Sequence, residues 1–132
     1  MTFSTNPPGA LVSWSGGKDC NLALYEALQA GTPRIEALFT TEIEGAERMI
    51  SHGLHMSLVE ELASCLGLSL DRVLMPKGPN NSAYEARTLA HLALHYACGA
   101  RQVIYGDLFL QDIRDYRDAL LKRVDMKGLY PL

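Results

Sequence analysis

Cysteine is scarce in this sequence, and the three present form no framework. Cys20, Cys65 and Cys98 are odd in number and show no C-x-x-C spacing. That argues against a disulfide scaffold and against a zinc ribbon or finger. Long apolar runs are missing as well, and nothing approaches the roughly 20 residues that span a bilayer. Residues 1–9 are polar, carry Pro7-Pro8 and lack a charged stretch followed by an apolar one, so they do not read as a signal peptide. There is no excess of basic charge: the net charge is −3 and Lys and Arg are dispersed. Phosphate-backbone binding needs them clustered, which disfavours nucleic acid as the main partner. A small anion held by backbone N–H groups stays open, because it requires no net positive charge. A cytoplasmic protein without a membrane segment is the expectation.

What is present fits one compact domain. The chain has 132 residues, 48% of them hydrophobic and 20% charged, which is richer in apolar side chains than a disordered chain. Ala10-Leu11-Val12-Ser13-Trp14 is an apolar run suited to a buried strand, broken by Ser15-Gly16-Gly17. A helical pattern begins near Asp19, with Cys20, Ala23, Leu24, Ala27 and Leu28 at three- and four-residue steps, and Gly31 closes it. Strand-like stretches over 34–41, 70–75 and 102–105 alternate with helical ones over 56–67, 82–98 and 110–124. Residues 42–55 have no period and read as a long loop, of the kind that often serves function. Glu42, Glu44 and Glu47 are expected to be solvated there. Ser82-x-x-Glu85 reads as a capping box. Four strand–helix repeats predict an α/β fold with a parallel sheet and helices on both faces. In such folds ligands lie beyond the carboxyl ends of the strands, near the switch in strand order. Ser15, the loop after Thr41, residues 76–81 and Asp107 all fall there.

The turn Ser15-Gly16-Gly17-Lys18-Asp19 leaves a strand and enters a helix. Its glycines permit close backbone approach. Its free N–H groups and the positive helix end suit an anion. Lys18 adds a point charge, and Asp19 is suited to a Mg²⁺ that bridges phosphate oxygens. Without Lys-Asp behind it, a Gly-Gly turn would read as a plain strand-to-helix connection. A P-loop is excluded, because Val12 stands where its first glycine belongs and Asp19 where Ser or Thr belongs. No G-x-G-x-x-G is present either.

Ser-Gly-Gly-Lys-Asp-Cys resembles the S-G-G-x-D-S signature of PP-loop ATP pyrophosphatases. The wider text is similar to the diphthine–ammonia ligase family: Ser13-Trp14-Ser15, Thr40-Thr41, Ser51-His52-Gly53, Tyr84-Glu85, the run from Gly106-Asp107 to Ile113-Arg114, and Leu129-Tyr130-Pro131-Leu132. The resemblance implies a three-layer α/β/α sandwich of the adenine nucleotide alpha-hydrolase type. It implies ATP and Mg²⁺ as cofactors, with ATP split into AMP and pyrophosphate. A carboxylate acceptor, protein or small molecule, is adenylated, and ammonia then displaces AMP to leave an amide. The family acceptor is diphthine on elongation factor 2, whereas bacterial relatives carry the signature with an open substrate.

Carried over residue by residue, the resemblance assigns ATP binding to Ser13, Ser15, Gly16, Gly17, Lys18, Asp19, Cys20, Thr40, His52, Gly53 and Gly106. Catalysis falls to Lys18, Asp19 and Asp107, pyrophosphate or substrate binding to Arg114 and Arg117, and Mg²⁺ to Asp19. Two departures stand out. Cys20 replaces the final serine, and a thiol is a weaker hydrogen-bond partner than a hydroxyl. Family members usually continue past Leu132, so residues 1–132 are expected to be the PP-loop domain without the family's C-terminal substrate-binding region. A nucleotide-binding module without catalysis is the alternative. A tRNA sulfurtransferase is a further one, opposed by the acidic balance and the lack of paired cysteines. Apolar residues 129–132 leave a homodimer open.

His91 and His95 stand four apart on a helix, which is metal-ligand spacing, but no third ligand is evident in sequence and packing is the expectation. Cys65 and Cys98 fall on Leu- and Ala-rich helix faces and read as small core residues.

Overall fold

The structure, a computed structural model, describes residues 8–31, 33–49, 55–78, 81–106 and 111–132. Its elements in chain order are β1 (Gly9–Ser13), α1 (Lys18–Ala30), β2 (Arg34–Ile43), β3 (Arg48–Met49), α2 (Met56–Leu66), β4 (Leu70–Met75), α3 (Asn81–Ala97), β5 (Ala100–Ile104), α4 (Gln111–Lys122) and β6 (Lys127–Leu129). β1 lies between β2 and β5, β4 adds outside β2, and β6 adds outside β5, all in parallel. Chain order therefore reverses direction across the sheet at the β1/β5 boundary, the switch point.

The alternation of side chains along the strands divides the core into two layers. Ala10, Val12, Trp14, Leu38 and Ile104 pack against α1 and α2 through Ala23, Leu24, Ala27, Met56, Val59 and Ala63. Leu11, Ala37, Phe39, Val73 and Val103 pack against α3 and α4 through Leu92 and Leu121. The expected α/β architecture with helices on both faces is thus observed. α1 and α2 end as expected at Gly31 and Gly67, both left-handed (φ 74 and 70), whose N–H groups bond back to the last helical turn. No helix among the described residues is long and apolar enough to cross a membrane.

Several local expectations are corrected. Among the described residues the sheet has six strands, two more than expected. β2 runs on to Ile43, and β3 pairs antiparallel with its last two residues, so 42–55 is not wholly a loop. β6 follows α4 where no strand was expected, and Leu129 and Leu132 are partly buried against the α1–α2 core layer. Glu42 is not solvated: it is buried, and its two carboxylate oxygens accept from Nε and Nη2 of Arg72 at 2.9 and 2.8 Å. Those bonds, with a further one to Glu60, raise the Arg72 pKa. Ser82 is the second residue of α3 rather than its cap, and Glu85 is engaged elsewhere. Cys65 and Cys98 are exposed, not core.

Candidate functional site

The turn after β1 is built by its own side chains. Gly16 adopts φ +79, a region that favours glycine. The Ser15 hydroxyl accepts from the Gly17 N–H at 3.3 Å and lies 3.4 Å from the Cys20 thiol. Asn21 clamps the turn from the first turns of α1: its Nδ2 donates to the Gly16 carbonyl at 3.0 Å, and its Oδ1 accepts from the Trp14 indole at 2.9 Å. Asn21 was not among the expected residues, and nothing distinguishes it in sequence from a solvated helix position. Gly17 is the N-cap of α1 and supplies no side-chain cap. The first-turn N–H groups of a helix have no partner inside it, and among the described residues no N-cap side chain covers them here; such groups can bind an anion.

Gly106 shows why two chain segments can meet at the switch point. A Cβ placed there would stand 2.8 Å from the Asp19 carbonyl oxygen and 2.9 Å from the Cys20 nitrogen. The end of β5 therefore touches the backbone of α1's first turn, which only glycine permits.

Above this contact, on the α3–α4 face, opens a cavity of about 310 Å³. It is at the small end of ligand pockets. Ser13, Ser15, Cys20, Thr40, Gly106 and Arg117 all line it, so the fold brings these sequence-assigned residues together. Among the described residues, Arg117 is the one charged side chain on that lining. Lys18 is exposed and Asp19 half-buried in the first turn of α1, outside the cavity wall. His52, Gly53 and Asp107 lie outside the described residues.

The helices contribute a wall that sequence reasoning missed. Tyr84 and Thr88 of α3 and Tyr116 and Leu120 of α4 line the cavity. Thr88 is buried, and its Oγ1 has no hydrogen-bond partner among the described residues. Its signal in sequence is only a polar residue four positions after Tyr84, on the inner face of a helix. Tyr116 donates to Glu85 Oε1 at 2.7 Å, and Arg123 Nη1 donates to Glu85 Oε2 at 3.3 Å. Glu85 thus ties α3 to α4 across the cavity mouth.

The bond to Glu85, with some burial, pushes the Tyr116 phenol up to about 12 from an ordinary 10.0. A raised folded-state value means that the bond's stabilisation is complete below the unfolded value and is lost as pH rises through the folded one. The difference in ultraviolet absorbance between wild type and Tyr116→Phe is therefore expected to show little phenolate from Tyr116 at about pH 10–11, where an ordinary tyrosine is half or more ionised. Ionisation of that residue near 10 would contradict the Glu85 bond.

The guanidinium groups of Arg114 and Arg117 sit over aromatic rings. The Arg117 guanidinium lies 4.2 Å from the Tyr105 ring and that of Arg114 4.2 Å from the Tyr130 ring, and the two tyrosines stack at 5.7 Å. Such cation–π contacts hold the guanidinium planes in place. Burial and a bond to Asp118 push the Tyr130 phenol up to about 12. Arg117 faces the cavity, while Arg114 is set back on Tyr130.

Comparison with known families gives one finding. A family model described as diphthamide synthase N-terminal domain matches residues 9–128 of the chain. No curated protein matches.

Proposed function

The chain belongs to the family of diphthamide synthase N-terminal domains, and on that premise we propose that it binds ATP and uses it to adenylate a carboxylate, releasing pyrophosphate and AMP. The uncapped N-terminus of α1 carries this reading. Gly17 leaves the first-turn N–H groups for an anion at the switch point, where α/β folds take their ligands. The phosphates sit at Ser15, Gly16, Gly17 and Lys18. The nucleoside end enters the cavity beside Thr40, whose buried polar surroundings include the Thr88 hydroxyl, unpartnered among the described residues.

Attack of a carboxylate on the α phosphate expels pyrophosphate and spreads charge over phosphate oxygens. Fixed backbone N–H groups and the Lys18 ammonium stabilise that charge without reorganising, and Arg117 lies within the cavity to take pyrophosphate or the acceptor. A Mg²⁺ ion, which takes one or two carboxylates plus phosphate oxygens, would be held by Asp19 in the first turn of α1 and would neutralise the charge developing on the phosphates. Ammonia displacing AMP would leave an amide.

Lys18 is exposed, so its substitution tests the site without disturbing the core. A bond to a charged group contributes about 1.5–3 kcal/mol, so Lys18→Ala is expected to weaken ATP binding by roughly 10–100-fold in calorimetry with Mg²⁺. Unchanged binding and unchanged AMP release in Lys18→Ala would sink the phosphate assignment. ATP binding by the wild type with no AMP formed over a panel of carboxylates would leave a nucleotide-holding module and overturn the ligase reading.

A further inference from the structure

We infer that Asp71, His91 and His95 form a binding site for a divalent transition-metal ion of the zinc type, separate from the nucleotide site and independent of its assignment. His91 and His95 are one turn apart on α3, and both turn Nε2 toward one carboxylate oxygen of Asp71, at 2.8 and 2.6 Å. The third ligand that sequence spacing could not supply comes from β4, twenty residues away. The three donor atoms lie within 4.8 Å of one another. Two imidazoles and a carboxylate are the donor set that zinc takes when three protein ligands leave a fourth position to water.

The cluster is also reachable. The side chains of His91 and His95 are 13% and 20% exposed, and that of Asp71 33%. Tetrahedral ligands at zinc distances stand about 3.3 Å apart, so the half-exposed carboxylate would withdraw by about half an ångström.

The surroundings support a metal rather than a plain hydrogen-bonded triad. Between Ala10 and Leu11 the β1–β2 register jumps from Ile35 to Ala37, leaving Glu36 as the extra residue. Such bulges re-aim side chains. Glu36 Oε2 stands 3.4 Å from His95 Nδ1, on the ring's side away from Nε2, and has no hydrogen-bond partner among the described residues. With a metal on Nε2, the ring would carry its proton on Nδ1, facing Glu36. That is the carboxylate–histidine–metal arrangement that orients metal-bound imidazoles.

The test uses the full chain, stripped with chelator and titrated with zinc chloride. One equivalent is expected to bind, with Tm rising with zinc concentration. Glu36→Gln is expected to weaken binding by about 10–100-fold, as for other groups that orient a ligand, and His95→Gln by more. A variant-free readout is the cobalt-loaded wild type, whose proton NMR spectrum should show shifted exchangeable signals from two metal-bound imidazoles. The site is overturned by an unchanged Tm with no stoichiometric binding. It is equally overturned by binding that survives His95→Gln but is lost on alkylating Cys20, Cys65 and Cys98, or by a cobalt spectrum without those imidazole signals.

Discussion

Gly106→Ala is expected to push apart the end of β5 and the first turn of α1, with loss of both stability and ATP binding. The added methyl would meet the Asp19 carbonyl carbon and oxygen and the Cys20 nitrogen at 2.8–2.9 Å. These are backbone atoms of a helix, not the movable end of a side chain, so the helix start itself must shift. Overpacking of this kind costs about 1–3 kcal/mol, and the backbone contact puts Gly106→Ala near the upper figure. The displaced atoms carry the N–H groups proposed to hold phosphate, so ATP affinity should fall by tenfold or more, roughly 1.4 kcal/mol. Urea unfolding and calorimetry measure the two effects. A variant with wild-type stability and wild-type affinity would show that the two segments do not meet as closely as described.

Leu11→Ala should be the most destabilising of the simple core truncations. Leu11 is 0% exposed on the central strand, in register with Ala37 on one side and Val103 on the other. Neighbours on three elements cannot all close on the cavity left behind, so the cost is about 2–5 kcal/mol. For a chain of this size that lowers Tm by roughly 8–20 °C. Leu94→Ala is the control: Leu94 is 70% exposed on α3, and surface changes of this kind stay within about 0.5 kcal/mol. Similar Tm losses for both variants would contradict the two-layer core.

The elements legible in the sequence are those whose signals are local. Ala10-Leu11-Val12 announces a buried strand, and Gly31 and Gly67 announce helix ends because a left-handed C-cap asks for glycine. The turn from Ser15 to Lys18 is legible for the same reason. β6 is not, since Lys127, Gly128 and Leu129 carry no alternation and become a strand only by pairing with Gln102, Val103 and Ile104. Glu42 looks like one more loop acid because Arg72, which neutralises it, is thirty positions away. The cavity is half legible: Ser13, Thr40 and Gly106 stand at strand ends, whereas Thr88 and Tyr116 reach it only through the docking of α3 and α4. Asp71 illustrates the same limit, because a two-histidine spacing says nothing about which carboxylate lies opposite.

Trp14 is the sole tryptophan of the chain. It is 2% exposed, bonded to Asn21 and part of the cavity lining. The protein therefore carries a built-in optical probe at its phosphate turn. Excited at wavelengths that the six tyrosines barely absorb, that one indole reports on α1's entry without labels. Occupancy of the turn, slackening of the Asn21 clamp and global unfolding should each change its emission, so one cuvette can follow all three in real time.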